Sequence, residues 1–410
     1  MPTESAARSR VVVVGAGHAA ITLAGLLRQA GHVGEIVMMG DELDHPYQRP
    51  PLSKKFSDGN LEQWLRPPEF YGEQDITLRL GERVLTIDVP RQHIATSSGD
   101  EHPYDVLVLA TGARSRPLPV PGIELSGVGH LRTLEDARVL RKWVADRRRL
   151  VIVGGGYIGL EVAAVVRARG GEATVLEREE RVLARVASAD LSAIMSDRHT
   201  TEGTSIRTGV HVTGFEGAGC VSRTVLAGGA RIDCDAVLVG VGAVPNDDLA
   251  VEAGLDVAPG GGVLVDGVCR TSVPSILAIG DVTSRPLPGL AATRRLESIP
   301  SATEQARQAV AAILATEPPP PETPWFWSDQ FDLKLKIAGI VRPGSEIVLR
   351  GTPASGRFAL FHLHDDVVVA VESANASPEF MAGKRWIGSG SRVDPKRLAD
   401  PGVALRDAEV

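Results

Sequence analysis

Apolar positions in this chain fall into two patterns. Unbroken β-branched runs such as Val11–Val14, Leu150–Val153 and Ala236–Val239 read as strands buried on both faces. The Ala- and Leu-rich stretches that follow the glycines at 15 and 154 repeat apolar residues at helical spacing. Residues 10–20 and 150–161 therefore share one plan of strand, glycine turn and helix. Each is followed by a second apolar run, Ile36–Met39 or Ala173–Leu176, that ends in acid. Two βαβ units are predicted. Further buried strands run into turns at Thr111–Gly112 and at Gly280–Asp281. Residues Pro117–Gly122 read as a stiff connector and Pro318–Pro321 as a linker. Beyond the linker short strands dominate: Leu335–Ile340, Glu346–Leu349, Phe358–His364 and Val367–Val371. The fold class expected is α/β with a strand-rich α+β domain at the C-terminus. Residues 1–115 and 244–321 are expected to make one domain, 116–243 a second inserted into it, and 322–410 the last.

The two glycine turns carry the chemistry. Glycines let backbone approach a pyrophosphate closely, and the helix that follows offers free N–H groups and partial positive charge. Gly15, Gly17 and Ala20 form a G-x-G-x-x-A pattern, with Asp41 or Glu42 placed to accept from a ribose. Gly154, Gly156 and Gly159 complete G-x-G-x-x-G, with Glu177 eighteen positions further on, near the roughly 20 expected. A carboxylate there binds a 2′-hydroxyl and repels a 2′-phosphate, which favours NADH; Arg178 and Arg181 lie near enough in sequence to rescue NADPH.

Bulk properties remove several classes of function. The 410 residues carry a net charge of −7, with both signs scattered and no basic tract, so no nucleic acid is expected. The apolar runs fall far short of the roughly 18 residues of a membrane span, so no membrane partner is expected. Residues 1–10 are polar and show no signal-peptide core, which makes a cytoplasmic location the default. Cys220, Cys234 and Cys269 form no C-x-x-C pair, so neither a dithiol centre nor a metal site is encoded, and all three are expected to pack as small apolar side chains. His362 and His364 share a strand parity but have no third ligand, and are expected to be exposed.

Seven motifs carry a resemblance that runs from Val11 to about Leu405: Tyr47–Lys54, Ala110–Arg114, Arg132–Asp136, Gly154–Glu161, Ala278–Asp281, Arg295–Ser298 and Pro324–Gln330. In them the chain resembles the putidaredoxin-reductase-like, NADH-dependent ferredoxin reductases of bacterial cytochrome P450 and ring-dioxygenase systems. The resemblance implies a glutathione-reductase-like flavoprotein fold. It implies FAD contacts at Gly15, Gly17, Ala19, Asp41, Arg49, Lys54, Val84, Arg132, Asp281 and Ile299, with Trp327 near the flavin edge. It implies NADH contacts at Gly156, Ile158, Gly159, Glu177 and Arg185. Ser301 departs from the family, where Asn is common.

Under this resemblance the flavin carries the chemistry and the protein supplies position and electrostatics. Lys54 becomes the candidate for stabilising the negative charge of flavin reduction, held by an ion pair with Glu161; spacing alone would make both surface residues. Tyr157 either covers the flavin or packs as a core tyrosine. With no cysteine pair beside the flavin, the electron acceptor is expected to be an external [2Fe-2S] ferredoxin. Ferredoxins are acidic, which makes Arg294, Arg295, Lys334, Lys336, Lys384 and Arg385 candidates for docking it. The competing readings are a rubredoxin reductase, an NADH oxidase or peroxidase, and a redox sensor like apoptosis-inducing factor.

Overall fold

A computed structural model describes residues 4–145 and 148–410. The chain forms two compact units. One comprises Met1–Gln48, Glu62–Arg114 and Ala243–Glu322; the other comprises Arg49–Leu61, Ser115–Gly242 and Thr323–Val410.

The first unit is built on a five-stranded parallel sheet. Its order is Ile276–Ala278, Val106–Leu109, Val11–Val14, Ile36–Gly40, Ile76–Leu80. Val11 pairs in register with Ile36 on one side and Val106 on the other. Every residue of Val11–Val14 is buried, which explains why the run lacks polar alternation. The helix His18–Gln29 buries Ala20, Leu23, Ala24 and Leu27 in a core that also takes Ala302, Ala306 and Ala309 of the helix Ile299–Leu314. Alanines at these facing positions let two backbones pack closely.

The second unit repeats the plan. Its parallel sheet runs Ser205–Arg207, Glu172–Leu176, Arg149–Val153, Ala236–Val239, Val128–Gly129. The helix Tyr157–Ala168 follows the central strand. The same unit holds a five-stranded antiparallel sheet in the order Trp325–Gln330, Leu333–Gly339, Val367–Ala374, Arg357–His364, Glu346–Thr352. The helix Ser377–Ser389 covers it, burying Phe380 and Trp386 against Phe361 and Val371. These strands run longer than the apolar pattern predicts, because polar residues such as Glu372 and Ser373 are buried within them.

Two sequence expectations are corrected. His362 is buried rather than exposed: it lies inside a strand buried from Phe358 to Leu363, and its Nε2 meets Glu372 at 2.9 Å. His364 is exposed at the end of that strand, and a register shift between His362 and Leu363 breaks the shared parity. Cys220 is exposed, while Cys234 and Cys269 are buried. Cys220 forms an isolated parallel bridge with Ser126, three residues before the strand Arg223–Leu226. Burial pushes the Cys269 thiol up to about 12, which keeps it un-ionised. No helix among the described residues is long and apolar enough to cross a membrane.

Candidate functional site

In the first unit the strand Val11–Val14 feeds Gly15, whose φ is +113°; a Cβ there would stand 2.2 Å from the carbonyl oxygen of Ala110. Only glycine fits. Gly17 then opens the helix His18–Gln29 with no side chain capping it, and its own Cβ position is clear of all atoms within 4 Å. First-turn N–H groups of a helix have no intrahelical acceptor, so this end is a cradle for an anion. His18 adds an orphaned polar atom: its buried Nδ1 has no hydrogen-bond partner among the described residues. Burial, then the charge of Arg66, lowers the pKa of His18, while Asp281 opposes them. These features fit the pyrophosphate of a dinucleotide.

The remaining expected FAD residues of this unit are distributed around that cradle's sheet. Ala19 is buried in the helix. Asp41 lies exposed just past the strand Ile36–Gly40, while Glu42 accepts the Tyr47 hydroxyl at 2.5 Å. Val84 starts the strand Val84–Asp88 and packs in the core with Ile94. Ile299 is the first residue of its helix, where Ser298 accepts the N–H of Ser301 at 3.3 Å. Asp281 sits in the one-turn helix Gly280–Val282. Gln305, which the sequence does not single out, pins that turn: its Oε1 accepts Gly280 N at 3.1 Å and Thr283 Oγ1 at 2.7 Å. Ser301 is a buried node here, accepting from Gln305 at 3.2 Å and from Arg285 at 3.2 Å.

In the second unit Gly154 repeats the strained turn, with φ +112° and a Cβ position 2.3 Å from the Gly240 oxygen. At Gly159 a Cβ would stand 2.3 Å from the Gly154 oxygen, so the helix packs directly on the loop. Gly156 has open space where its side chain would be. Ile158 follows it and is 48% exposed, an apolar side chain presented beside the loop. Glu177 holds the loop in shape, accepting Gly155 N at 2.7 Å and Glu179 N at 2.9 Å. Arg185 is exposed, and its Nη2 lies 3.5 Å from the Cβ position of Gly242. Arg181 is spent on backbone, donating to the carbonyls of Ser188 at 3.2 Å, Ala184 at 3.0 Å and Ala187 at 3.1 Å. Arg178 pairs with Glu179 at 2.9 Å. Arg181 is therefore not an uncommitted phosphate ligand, and with Glu177 at the loop a second dinucleotide of the 2′-hydroxyl type fits best.

The same unit contains the Lys54–Glu161 pair. The short helix Pro51–Lys54 brings the Lys54 ammonium to 2.7 Å from Glu161 Oε1. Glu161 is only 3% exposed, so its charge is stripped of water. It is compensated in full: Ser53 donates to Oε2 at 2.5 Å and Ser328 to Oε1 at 2.6 Å. Glu161 is thus a buried node rather than a helix-surface acid. Arg49 Nη1 donates to the Arg132 carbonyl at 2.6 Å, and the N–H of Arg132 donates to Asp136 at 2.9 Å, which ties these motifs together.

The strand Trp325–Gln330 carries aromatic residues beside cations. Trp327 lies opposite Lys336 in the ladder, and Asp329 opposite Lys334. The Trp325 and Trp327 rings stand 5.9 Å apart. Lys384 lies over Trp325 at 5.2 Å and Lys336 over Phe380 at 5.6 Å. Lys334 is exposed. Three other docking candidates are placed differently. Arg295 donates to the Asp281 carbonyl at 3.0 Å and pairs with Glu297. Arg294 is exposed and bridges Arg285 through backbone. Arg385 pairs with Glu409 at 2.9 Å. Tyr157 packs edge-on to Phe326 at 4.9 Å; burial, then the charges of Glu372 and Glu161, pushes its hydroxyl pKa up.

Known proteins match this arrangement along the chain. A family model described as pyridine nucleotide-disulphide oxidoreductase matches residues 9–306, and one described as reductase C-terminal matches 325–409. The probable ferredoxin reductase CtmF of Castellaniella defragrans is 46% identical over 97% of this chain and 98% of its own. Putidaredoxin reductase CamA of Pseudomonas putida is 39% identical over 98% of this chain and 97% of its own. A crystal structure of the covalent putidaredoxin reductase–putidaredoxin complex superposes with a TM-score of 0.94 at 38% identity, covering 98% of each chain. With two glycine cradles and a chain matched throughout, this protein belongs to the pyridine nucleotide-disulphide oxidoreductase family, among its putidaredoxin-reductase-like ferredoxin reductases.

Proposed function

We propose that this chain is an FAD-dependent reductase that oxidises NADH and passes electrons singly to a [2Fe-2S] ferredoxin serving a monooxygenase or dioxygenase. The observation that carries the reading is the coexistence of two glycine cradles, at Gly15 and Gly154, with cysteines that form no pair. FAD, when bound, accepts a hydride and gives up its electrons one at a time. Gly15, Gly17, Ala19, Asp41, Val84, Asp281 and Ile299 are assigned to holding it, together with Arg49, Lys54, Arg132 and Trp327. Gly156, Ile158, Gly159, Glu177 and Arg185 are assigned to NADH. Glu161 holds the Lys54 ammonium in position, and that fixed positive charge is assigned the stabilisation of negative charge during flavin reduction. The division into segments 1–115, 116–243, 244–321 and 322–410 and a cytoplasmic location belong to the same proposal.

The ferredoxin is assigned to the face that carries Trp325, Trp327, Lys334, Lys336 and Lys384. Cations there steer an acidic partner, and the aromatic rings supply contact area. The names of the ferredoxin reductase relatives support this acceptor, while a Pseudomonas putida protein 37% identical over 89% of this chain is named rubredoxin–NAD(+) reductase, the competing acceptor. The test is NADH-driven reduction of cytochrome c by the purified flavoprotein, alone and with ferredoxin or rubredoxin. Turnover that depends on ferredoxin is expected. Equal turnover with rubredoxin, or rapid oxygen consumption without any carrier, would overturn the assignment.

A further inference from the structure

Beyond Ser328 the hydrogen bonds on Glu161 continue into the protein. Gln330 Nε2 donates to Ser328 Oγ at 3.0 Å, His199 Nε2 meets Gln330 Oε1 at 2.9 Å, and His199 Nδ1 meets Thr204 Oγ1 at 3.3 Å. Ser328, Gln330 and His199 are all 0% exposed, so water cannot replace any link.

We propose that Gln330 and His199 are positioning residues for the Lys54–Glu161 pair, acting through this chain of one-way donors. The inference rests on the role given to Lys54 above. The direction follows from valence. A carboxylate donates nothing, so Ser328 spends its single proton on Glu161 and must accept from Gln330. The amide nitrogen of Gln330 therefore faces Ser328, and its oxygen faces His199. That oxygen accepts, so His199 carries its proton on Nε2, and its bare Nδ1 accepts the Thr204 hydroxyl. Every dipole from Thr204 to Ser328 points its positive end at Glu161. Successive donors polarise one another, which strengthens the last bond and fixes the carboxylate in place beside Lys54. A histidine that gained a proton at Nδ1 would lose the Thr204 donor and bury an uncompensated cation.

The surroundings keep His199 neutral. Burial lowers its pKa most; the bond to Gln330 raises it, the charge of Arg198 lowers it, and that of Glu202 raises it. Arg198 itself is paired with Glu202 at 2.8 Å and Asp332 at 2.9 Å, and the Phe331 ring stands edge-on to His199 at 4.9 Å.

The test uses the full-length flavoprotein with ring-¹⁵N histidine. The wild-type spectrum should show His199 as the Nε2–H tautomer, neutral from pH 6 to 8. The Nδ1–H tautomer would overturn the proposal, and this measurement needs no variant. Gln330→Met keeps the length but breaks the chain; flavin reduction by NADH should slow about two- to threefold with unchanged affinity for NADH. Gln330→Glu can accept from His199 but, ionised, cannot donate to Ser328. It should bring His199 protonation, and a matching pH dependence of the reduction rate, into the range pH 6–8. If Gln330→Met fails to fold, Ser328→Ala interrupts the same chain one link nearer Glu161. A wild-type rate in the folded variant contradicts the proposal. A slowed Gln330→Met beside an unaffected Lys54→Met would instead remove the role given to Lys54.

Discussion

Replacing Lys54 by Met separates what the buried pair does for stability from what it does for rate. Glu161 is 3% exposed and its ammonium partner stands 2.7 Å away. Breaking a buried pair by removing one partner typically costs 3–5 kcal/mol, because the other charge is stranded. Here Ser53 and Ser328 still donate to the carboxylate, and the Lys54 side chain keeps 12% exposure, so about 2–3 kcal/mol is expected. Urea unfolding measures that loss. Loss of the fixed positive charge should slow flavin reduction by NADH at least about tenfold, or 1.4 kcal/mol of barrier. Adding Glu161→Gln removes the stranded charge. The double variant should regain about half of the lost stability and none of the lost rate. Stopped-flow bleaching of the flavin reads the rate. A single variant that bleaches at the wild-type rate, or a double variant that recovers speed together with stability, refutes the reasoning.

Three further outcomes are expected. Gly154→Ala places a methyl 2.3 Å from a backbone oxygen at φ +112°, so NADH-dependent reduction should fall about 100-fold, or some 3 kcal/mol, while bound FAD is retained; retained NADH affinity would contradict the cradle. Lys336→Ala should lower kcat/KM for an acidic ferredoxin about three- to tenfold at low salt, with the gap closing as salt rises; a salt-independent gap would argue against electrostatic docking. Tyr71 has a hydroxyl with no hydrogen-bond partner among the described residues, and burial pushes its pKa up to about 12. The folded state then holds the phenol proton more tightly than the unfolded one. That stability is present below about pH 10 and is lost as pH rises towards 12. Tyr71→Phe should leave stability at pH 7 unchanged within about 0.5 kcal/mol and flatten the alkaline decline, which urea titrations at several pH values would measure.

The dinucleotide cradles were legible because their constraints are local. Val11–Val14 and Leu150–Val153 announce buried parallel strands, and Gly15 and Gly154 mark turns no other residue can make. That no cysteine pair takes the electrons within the chain is also visible without coordinates. The polar interior was not legible. Ser328 meets Glu161 across 167 positions, and His199 meets Gln330 across 131. No spacing rule links such residues, because strand register and helix docking bring them together. His362 fails for the same reason: alternation places it on a face, and only its contact with the buried Glu372 of the neighbouring strand reveals that the face is interior. Arg181, close in sequence to Glu177, looks like a phosphate ligand until three backbone carbonyls are seen to hold it.

An anaerobic titration tests the central claim most directly. The purified protein, carrying FAD, is bleached with one equivalent of NADH and then mixed with oxidised [2Fe-2S] ferredoxin. The flavin should regain its colour as two ferredoxins are reduced for each NADH consumed. A protein that binds no flavin, or a bleached flavin that regains colour only with oxygen, would contradict the account.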